Sequence, residues 1–313
     1  MRQVLAALAV SAALPASADT LAPFGEVFVF GDSLSDAGNV ATLAGALGFE
    51  FDFDSYPLGQ FTNGQTWASQ IGTTPSLQGG TNFAYADARS ADNGDPIPDL
   101  EAQVQQFVDA MPPLGSNPLA AIWVGGNDFR DFADAGGGTA EETMLFISSV
   151  IGPISGSVMT LAASSINDIV VFGLPDLGQL PEFVGTEFGA QISQVVGGYN
   201  GALAQTVAGL DQALGPVNVG FFDVDSLFRS LLGPDNAGGF TNWTEACLDA
   251  GDACDPEQYV FWDDIHPTEA VHEIVADGFE DRIAPVPLPA GFPLLIGGLA
   301  ALGIAARRRK SQA

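Results

Sequence analysis

Four short segments of this chain are apolar almost from end to end, and each stops on glycine, proline or a polar pair. Val27-Phe-Val-Phe30 runs into Gly31-Asp32-Ser33, and Ala120-Ala-Ile-Trp-Val124 into Gly125-Gly126-Asn127-Asp128. Asp168-Ile-Val-Val-Phe172 ends in Gly173-Leu-Pro-Asp176, and Val217-Asn-Val-Gly-Phe-Phe222 in Asp223. Runs this short, without polar alternation and rich in β-branched and aromatic residues, are the mark of strands buried on both faces. Between them lie stretches of helical length: Asp36 to Leu47, Leu100 to Val108, Glu141 to Ala163 and Phe188 to Leu214. In the second of these, Leu100, Val104, Phe107 and Val108 fall on one side. The alternation predicts an α/β fold of three layers, a central parallel sheet flanked by helices. Ligands of such sheets bind beyond the carboxyl ends of the strands, where Ser33, Asn127 and the loops at Asp176 and Asp225 gather.

The chain has 313 residues, 47% of them hydrophobic, which suits one large core, and no repeat or linker divides it. Its two ends are of another kind. Residues 1–18 open on a basic residue, continue apolar and close on Ala16-Ser17-Ala18, the pattern of a secretory signal peptide cut after Ala18. Residues 19–284 make the domain. Residues 285–313 form a tail: Val286-Pro-Leu-Pro-Ala290, an apolar run from Gly291 to Ala306, then Arg307-Arg308-Arg309-Lys310. As a helix, Ala290 to Ala306 reaches roughly 26 Å at 1.5 Å per residue, short of a bilayer core of about 30 Å. The basic cluster behind it favours the cytoplasmic side. Motif, short span and arginines in this order resemble the VPLPA-type sorting tails of Gram-negative bacteria, related to PEP-CTERM signals. That resemblance implies two processing partners, a signal peptidase and an exosortase-like membrane protease. It also implies export to the periplasm, cell surface or medium, with transient anchoring in the inner membrane.

Arg2 and the four basic residues of the tail are five of the nine cations, so the domain keeps four against 38 acidic residues, a net charge of −34. Such a surface repels nucleic acid and anionic headgroups and excludes a nucleic-acid partner. Cys247 and Cys254 are the only cysteines, and in an exported chain they are read as a disulfide. Two thiolates do not complete a metal site, and the neighbouring Asp249, Asp252 and Asp255 are hard oxygen donors that match them poorly. The reading calls for no metal and no organic cofactor.

Two roles fit Ser33. At the end of a strand and the start of a helix it is placed as a nucleophile, near outward-pointing N–H groups; it is equally placed as a helix N-cap, with Asp36 completing something like a capping box. Partners elsewhere favour the first role. Asp263 precedes His266 by three residues, a spacing that brings carboxylate and imidazole to one side of a turn, and the chain holds only two histidines. Serine catalysis needs a nucleophile, a base, an acid that orients it, and donors for an oxyanion. Ser33, His266 and Asp263 fill the first three roles, with Asp264 a competitor for Asp263. The N–H groups of Ser33 and Gly80 and the amide of Asn127 fill the fourth. Asp128 either braces the oxyanion loop or faces solvent. Phe49, Phe51, Phe53, Tyr56 and Phe61 either line an acyl cleft or pack as core.

Gly31-Asp32-Ser33-Leu34, Gly80-Thr81-Asn82-Phe83-Ala84, Gly125-Gly126-Asn127-Asp128 and Asp263-Asp264-Ile265-His266-Pro267-Thr268 resemble, in order, the four blocks of the GDSL or SGNH hydrolase family. The likeness extends over nearly all of residues 25–282. It implies a flavodoxin-like sheet, Ser33 as nucleophile, Gly80 and Asn127 in the oxyanion hole, and Asp263 with His266 completing a triad. The implied activity is cleavage of carboxylic esters, of lipids or other acyl groups, through an acyl-enzyme. Two alternatives remain: a lipid acyltransferase using the same intermediate, and a non-catalytic surface binding protein on a hydrolase scaffold.

Overall fold

A computed structural model describes residues 24–283, so the expected signal peptide and sorting tail lie outside the described residues. Within them four parallel strands, β1 (Glu26–Gly31), β2 (Pro118–Trp123), β3 (Asp168–Phe172) and β4 (Asn218–Phe222), lie side by side in that order. Their register is flush at the carboxyl edge: Phe30 pairs with Ile122, Ile122 with Val171, and Val171 with Phe221. A fifth extended segment joins the outer edge of β1. Val29 N–H donates to Thr81 O at 3.0 Å, Phe83 N–H to Val29 O at 2.7 Å, and Tyr85 N–H to Gly31 O at 3.1 Å. The second extended segment of the chain thus lies outside the first, and the chain then crosses to β2, the 2-1-3-4-5 order of flavodoxin-like sheets.

The helices are α1 (Asn39–Leu47), α2 (Trp67–Gln70), α3 (Leu100–Ala110), α4 (Gly126–Asp134), α5 (Ala140–Ala163), α6 (Glu187–Ala213), α7 (Val224–Leu231) and α8 (Glu269–Ile283). All four expected strands and all four expected helices are present, with ends shifted by a few residues. On one face, Phe28 and Phe30 of β1 meet Phe107 of α3 at ring centroids of 5.0 and 5.7 Å. On the other, Trp123 of β2 and Phe172 of β3 stack at 5.3 Å, and Trp67 of α2 lies 4.8 Å from Phe172 and 5.0 Å from Phe279 of α8. These rings are buried, and each pair adds about 0.5–1.5 kcal/mol beyond its area. Helix α5 is long and apolar enough to cross a membrane, yet Val150, Ile154, Val158 and Leu161 lie in the core. A small parallel pair, β5 (Asn242–Ala246) and β6 (Tyr259–Phe261), carries the chain toward His266, and Cys247 and Cys254 are disulfide-bonded beside it.

One backbone approach holds the carboxyl edge together. A Cβ on Gly31 would stand 2.0 Å from the carbonyl oxygen of Trp123, the same oxygen that accepts the Asp32 N–H at 3.2 Å. Gly31→Ala is therefore expected to part β1 from β2 and to destabilise by about 2–3 kcal/mol, the overpacking range, read as a lower urea midpoint. An unchanged midpoint would show that the edge yields freely.

Candidate active site

Ser33 sits just past β1 on a single helical turn. Ser35 N–H and Asp36 N–H both donate to Asp32 O at 3.0 Å, and Leu34 N–H donates to Asp32 Oδ1 at 3.0 Å. The capping duty considered for Ser33 belongs instead to Asp36. Its carboxylate accepts from Gly38 N (2.7 Å), Asn39 N (2.6 Å) and Val40 N (3.1 Å) at the start of α1, and from Ala86 N at 2.9 Å. That leaves the Ser33 hydroxyl for other work. Its Oγ lies 2.7 Å from His266 Nε2, across 233 residues of sequence.

His266 is buried, and its Nδ1 lies 2.7 Å from Asp263 Oδ2. The other oxygen, Oδ1, accepts the N–H groups of Ile265 (2.9 Å) and His266 (2.7 Å), which fixes the carboxylate against its own turn. Burial alone raises the Asp263 pKa; the facing imidazole and these donors outweigh it and hold the group at about 2. Asp264 is exposed and lends only its carbonyl, to Glu182 N–H. Sequence reasoning missed a further partner: Tyr56 O–H donates to Asp263 Oδ2 at 2.7 Å. Nothing in spacing signals a contact between residues 207 apart.

Asn127 stands in the first turn of α4, directly after the glycines that end β2, and its Nδ2 donates to Ala88 O at 2.9 Å. Its neighbour Asp128 braces the same crossing, accepting Ser90 N–H at 3.0 Å and Ser90 Oγ–H at 2.6 Å. Ser33, His266 and Asn127 border one cavity of about 40 Å³, walled by Leu34, Pro175, Leu177, Leu180, Phe228 and Ile265. At roughly 10–15 Å³ per water-sized probe, this holds the first carbons of an acyl group. None of the five expected aromatic residues lines it. Phe61 comes nearest, packed 5.4 Å from the His266 ring, whereas Phe49 and Phe53 are exposed.

A serine, an imidazole and a carboxylate in relay beside a side-chain amide agree with an independent comparison: residues 27–279 match the family of GDSL-like lipases and acylhydrolases. The chain belongs to that family. It is thereby a carboxylic ester hydrolase. It is 28% identical over 242 residues to a phosphatidylcholine-sterol acyltransferase of Aeromonas hydrophila, covering 74% of this chain and 68% of the relative. A GDSL esterase/lipase of Arabidopsis thaliana is 25% identical over 298 residues, covering 78% and 82%. Among solved structures, a catalytic mutant of an acetylxylan esterase from Geobacillus stearothermophilus is similar at 16% identity and a TM-score of 0.43, over 85% of this chain and 98% of that one.

One residue assigned from the GDSL-type blocks does not reach the cavity. Gly80 N–H donates to Pro75 O at 2.9 Å, closing a turn around Ser76–Gln78, and a Cβ there would strike Thr74. Its glycine serves that turn. The part of the same block that does approach the site is the crossing from Tyr85 to Ser90. Within it Asp87 takes φ 70, the left-handed region where a side chain is strained.

The floor of this GDSL-type site is acidic and buried. Asp32 Oδ2 is buried with no hydrogen-bond partner among the described residues, and the same holds for the hydroxyl of Tyr199. Burial pushes the Asp32 carboxyl up to about 7 and, in spite of the Ser90 bonds, Asp128 to about 6. The second histidine, His272, is wholly buried and unpaired, and burial lowers its pKa to about 3, so it sits in the core as a neutral ring. Because the Asp32 proton is held more tightly in the folded chain, its contribution to stability is complete below the ordinary value near 4 and is lost as pH rises through about 7. Asp32→Asn keeps the acceptor for Leu34 and cannot ionise. Its melting temperature is expected to gain on the parent's between pH 4 and pH 7.5; parallel curves would contradict a raised Asp32.

Proposed function

We propose that this chain is an exported serine esterase that cleaves lipid or other acyl esters through an acyl-enzyme on Ser33. The observation that carries the reading is the unbroken relay from Ser33 Oγ to His266 Nε2 and from His266 Nδ1 to Asp263 Oδ2, each step 2.7 Å, at the mouth of an apolar cavity. As Ser33 Oγ attacks the ester carbonyl, His266 Nε2 takes its proton and Asp263 stabilises the imidazolium. The held proton then passes to the leaving alkoxide. Water, deprotonated by the same ring, releases the acid and restores Ser33.

Developing charge on the carbonyl oxygen needs aimed donors. Asn127 has two amide hydrogens, and with one held by Ala88 O the other is left for substrate. The Ser33 N–H supplies a second donor. For the third, Asp87 N–H takes the place first given to Gly80. Its neighbours support this: Ala86 N–H is bound to Asp36 and Ala88 O to Asn127, so Asp87 spans the nucleophile turn and the amide. No other hydrogen bond among the described residues uses that N–H. A main-chain donor of this kind is indifferent to the side chain that carries it.

Export rests on the signal-type segment at residues 1–18 and on the disulfide, and it makes signal peptidase and an exosortase-like protease the processing partners. Acyl transfer is the second reading, supported by the name of the Aeromonas hydrophila relative; it differs only in that an alcohol replaces water in the second step.

Ser33→Ala is expected to lower kcat on p-nitrophenyl butyrate by about 10⁴–10⁶-fold with an unaltered circular dichroism spectrum; retained turnover would remove Ser33 as nucleophile. Asp87→Gly keeps the N–H and relieves a left-handed residue. It should leave kcat/KM within about threefold while raising stability by about 1 kcal/mol. A hundredfold loss would assign the work to the carboxylate.

A further inference from the structure

Next to the Ser33–His266 cavity lies a surface the chemistry does not use. At the end of α1, Leu47 is 59% exposed, and on the loop from α1 to α2, Phe49, Phe53 and Leu58 are 69%, 56% and 52% exposed. Single exposed apolar side chains are ordinary, but four within twelve residues form a patch. Rings behind it tie the patch to the site. Phe53 packs on Phe51 at 5.0 Å, Phe51 on Phe61 at 5.7 Å, and Phe61 on His266 at 5.4 Å. Two hydrogen bonds clamp the loop to the catalytic turn: Tyr56 O–H to Asp263 Oδ2 at 2.7 Å, and Trp262 Nε1–H to Ser55 O at 3.0 Å. The exposed side chains are therefore carried by a loop anchored on the reacting groups.

Charge decides what such a loop meets. Aromatic and acidic residues alternate through Phe49-Glu50-Phe51-Asp52-Phe53-Asp54, and no lysine or arginine lies between residues 47 and 61. Carboxylates beside ring faces attract quaternary ammonium groups, while the same carboxylates repel anionic headgroups. We propose that the loop docks a zwitterionic lipid surface with choline headgroups outermost, its exposed rings entering the interface so that an ester there reaches Ser33. The proposal rests on the ester-hydrolase reading of the same site and adds to it the surface on which the substrate is met.

The full-length chain is tested with a probe confined to the loop. Phe53→Cys leaves one reactive thiol, because the two native cysteines are joined, and it is labelled with a polarity-sensitive fluorophore. Phosphatidylcholine vesicles should shift its emission to the blue. Vesicles in which phosphatidylglycerol replaces a third of the lipid should shift it less at low salt. The same label on Ala163→Cys, exposed at the end of α5, should stay unchanged, which separates loop docking from any membrane contact made by the C-terminal tail. In parallel, the triple variant Phe49→Ser, Phe53→Ser, Leu58→Ser should lose tenfold or more of its rate on phosphatidylcholine vesicles while hydrolysis of p-nitrophenyl acetate stays within twofold. A label blind to vesicles, a preference for anionic vesicles, or a shift that appears with protein concentration alone, as when two copies pair, overturns the proposal. Absence of p-nitrophenyl acetate hydrolysis in the parent, with the label still shifting, overturns the esterase reading and leaves the docking surface standing.

Discussion

The carboxylate of Asp36, sealed from solvent, accepts four main-chain N–H groups, three at the start of α1 and one from Ala86. A charge buried without partners is expensive, and one with four donors becomes a fixed node. Asp36 does not go unshifted even so: burial pushes its carboxyl up to about 6 against those donors. Through this node the Ser33 turn, the first helix and the crossing that carries Asp87 and Ala88 share one frame. Two asparagines extend it. Asn39 Nδ2 donates to Asn82 O and Ala84 O at 2.8 and 2.9 Å, and Asn82 Nδ2 donates to Ser35 O at 2.7 Å. Ser33 therefore stands on a turn held in place by a buried polar network.

Asp263 and His266 reach Ser33 from the opposite end of the chain, and separate contacts hold them. Thr62 Oγ1 donates to Pro267 O at 2.9 Å, Trp262 N–H to His266 O at 2.8 Å, and Thr268 N–H to Val260 O at 3.0 Å. These bonds shape the tight turn in which Asp263 and His266 face each other. Tyr56 adds a second donor to the carboxylate oxygen that orients the ring. Burial and the neighbouring Asp263 together raise the Tyr56 pKa, so the phenol stays a donor to the Asp263 carboxylate well beyond neutral pH.

The sheet was legible because its strands are continuous apolar runs, a pattern that few other environments tolerate. The four long or well-patterned helices were legible by length and spacing. Helices α2, α4, α7 and α8 were not. The first is four residues long, α4 carries only Phe129, Phe132 and Ala133 as apolar side chains, α7 is eight residues long and follows β4 after Asp223 alone, and α8 follows directly on the turn of Asp263 and His266. At the site, Ser33, Asn127, Asp263 and His266 stood out because each lies where a strand or turn ends. Gly80 was assigned by its place in a motif. The structure shows a glycine kept for a turn against Thr74, and the left-handed position falls seven residues later on Asp87, one aspartate among many in an acidic chain and so without a local signal.

Strand burial and chain reversal at glycine restrict composition locally, so the amino-acid sequence alone carries the fold class, the sheet edge beyond which Ser33 and Asn127 lie, and the family blocks that contain them. The Tyr56–Asp263 contact, the seating of Ser33 Oγ on His266 Nε2 and the crossing that brings Ala88 O to Asn127 are properties of the folded chain. Those contacts join segments 39 to 233 residues apart, and distance of that kind leaves no periodic trace in a chain.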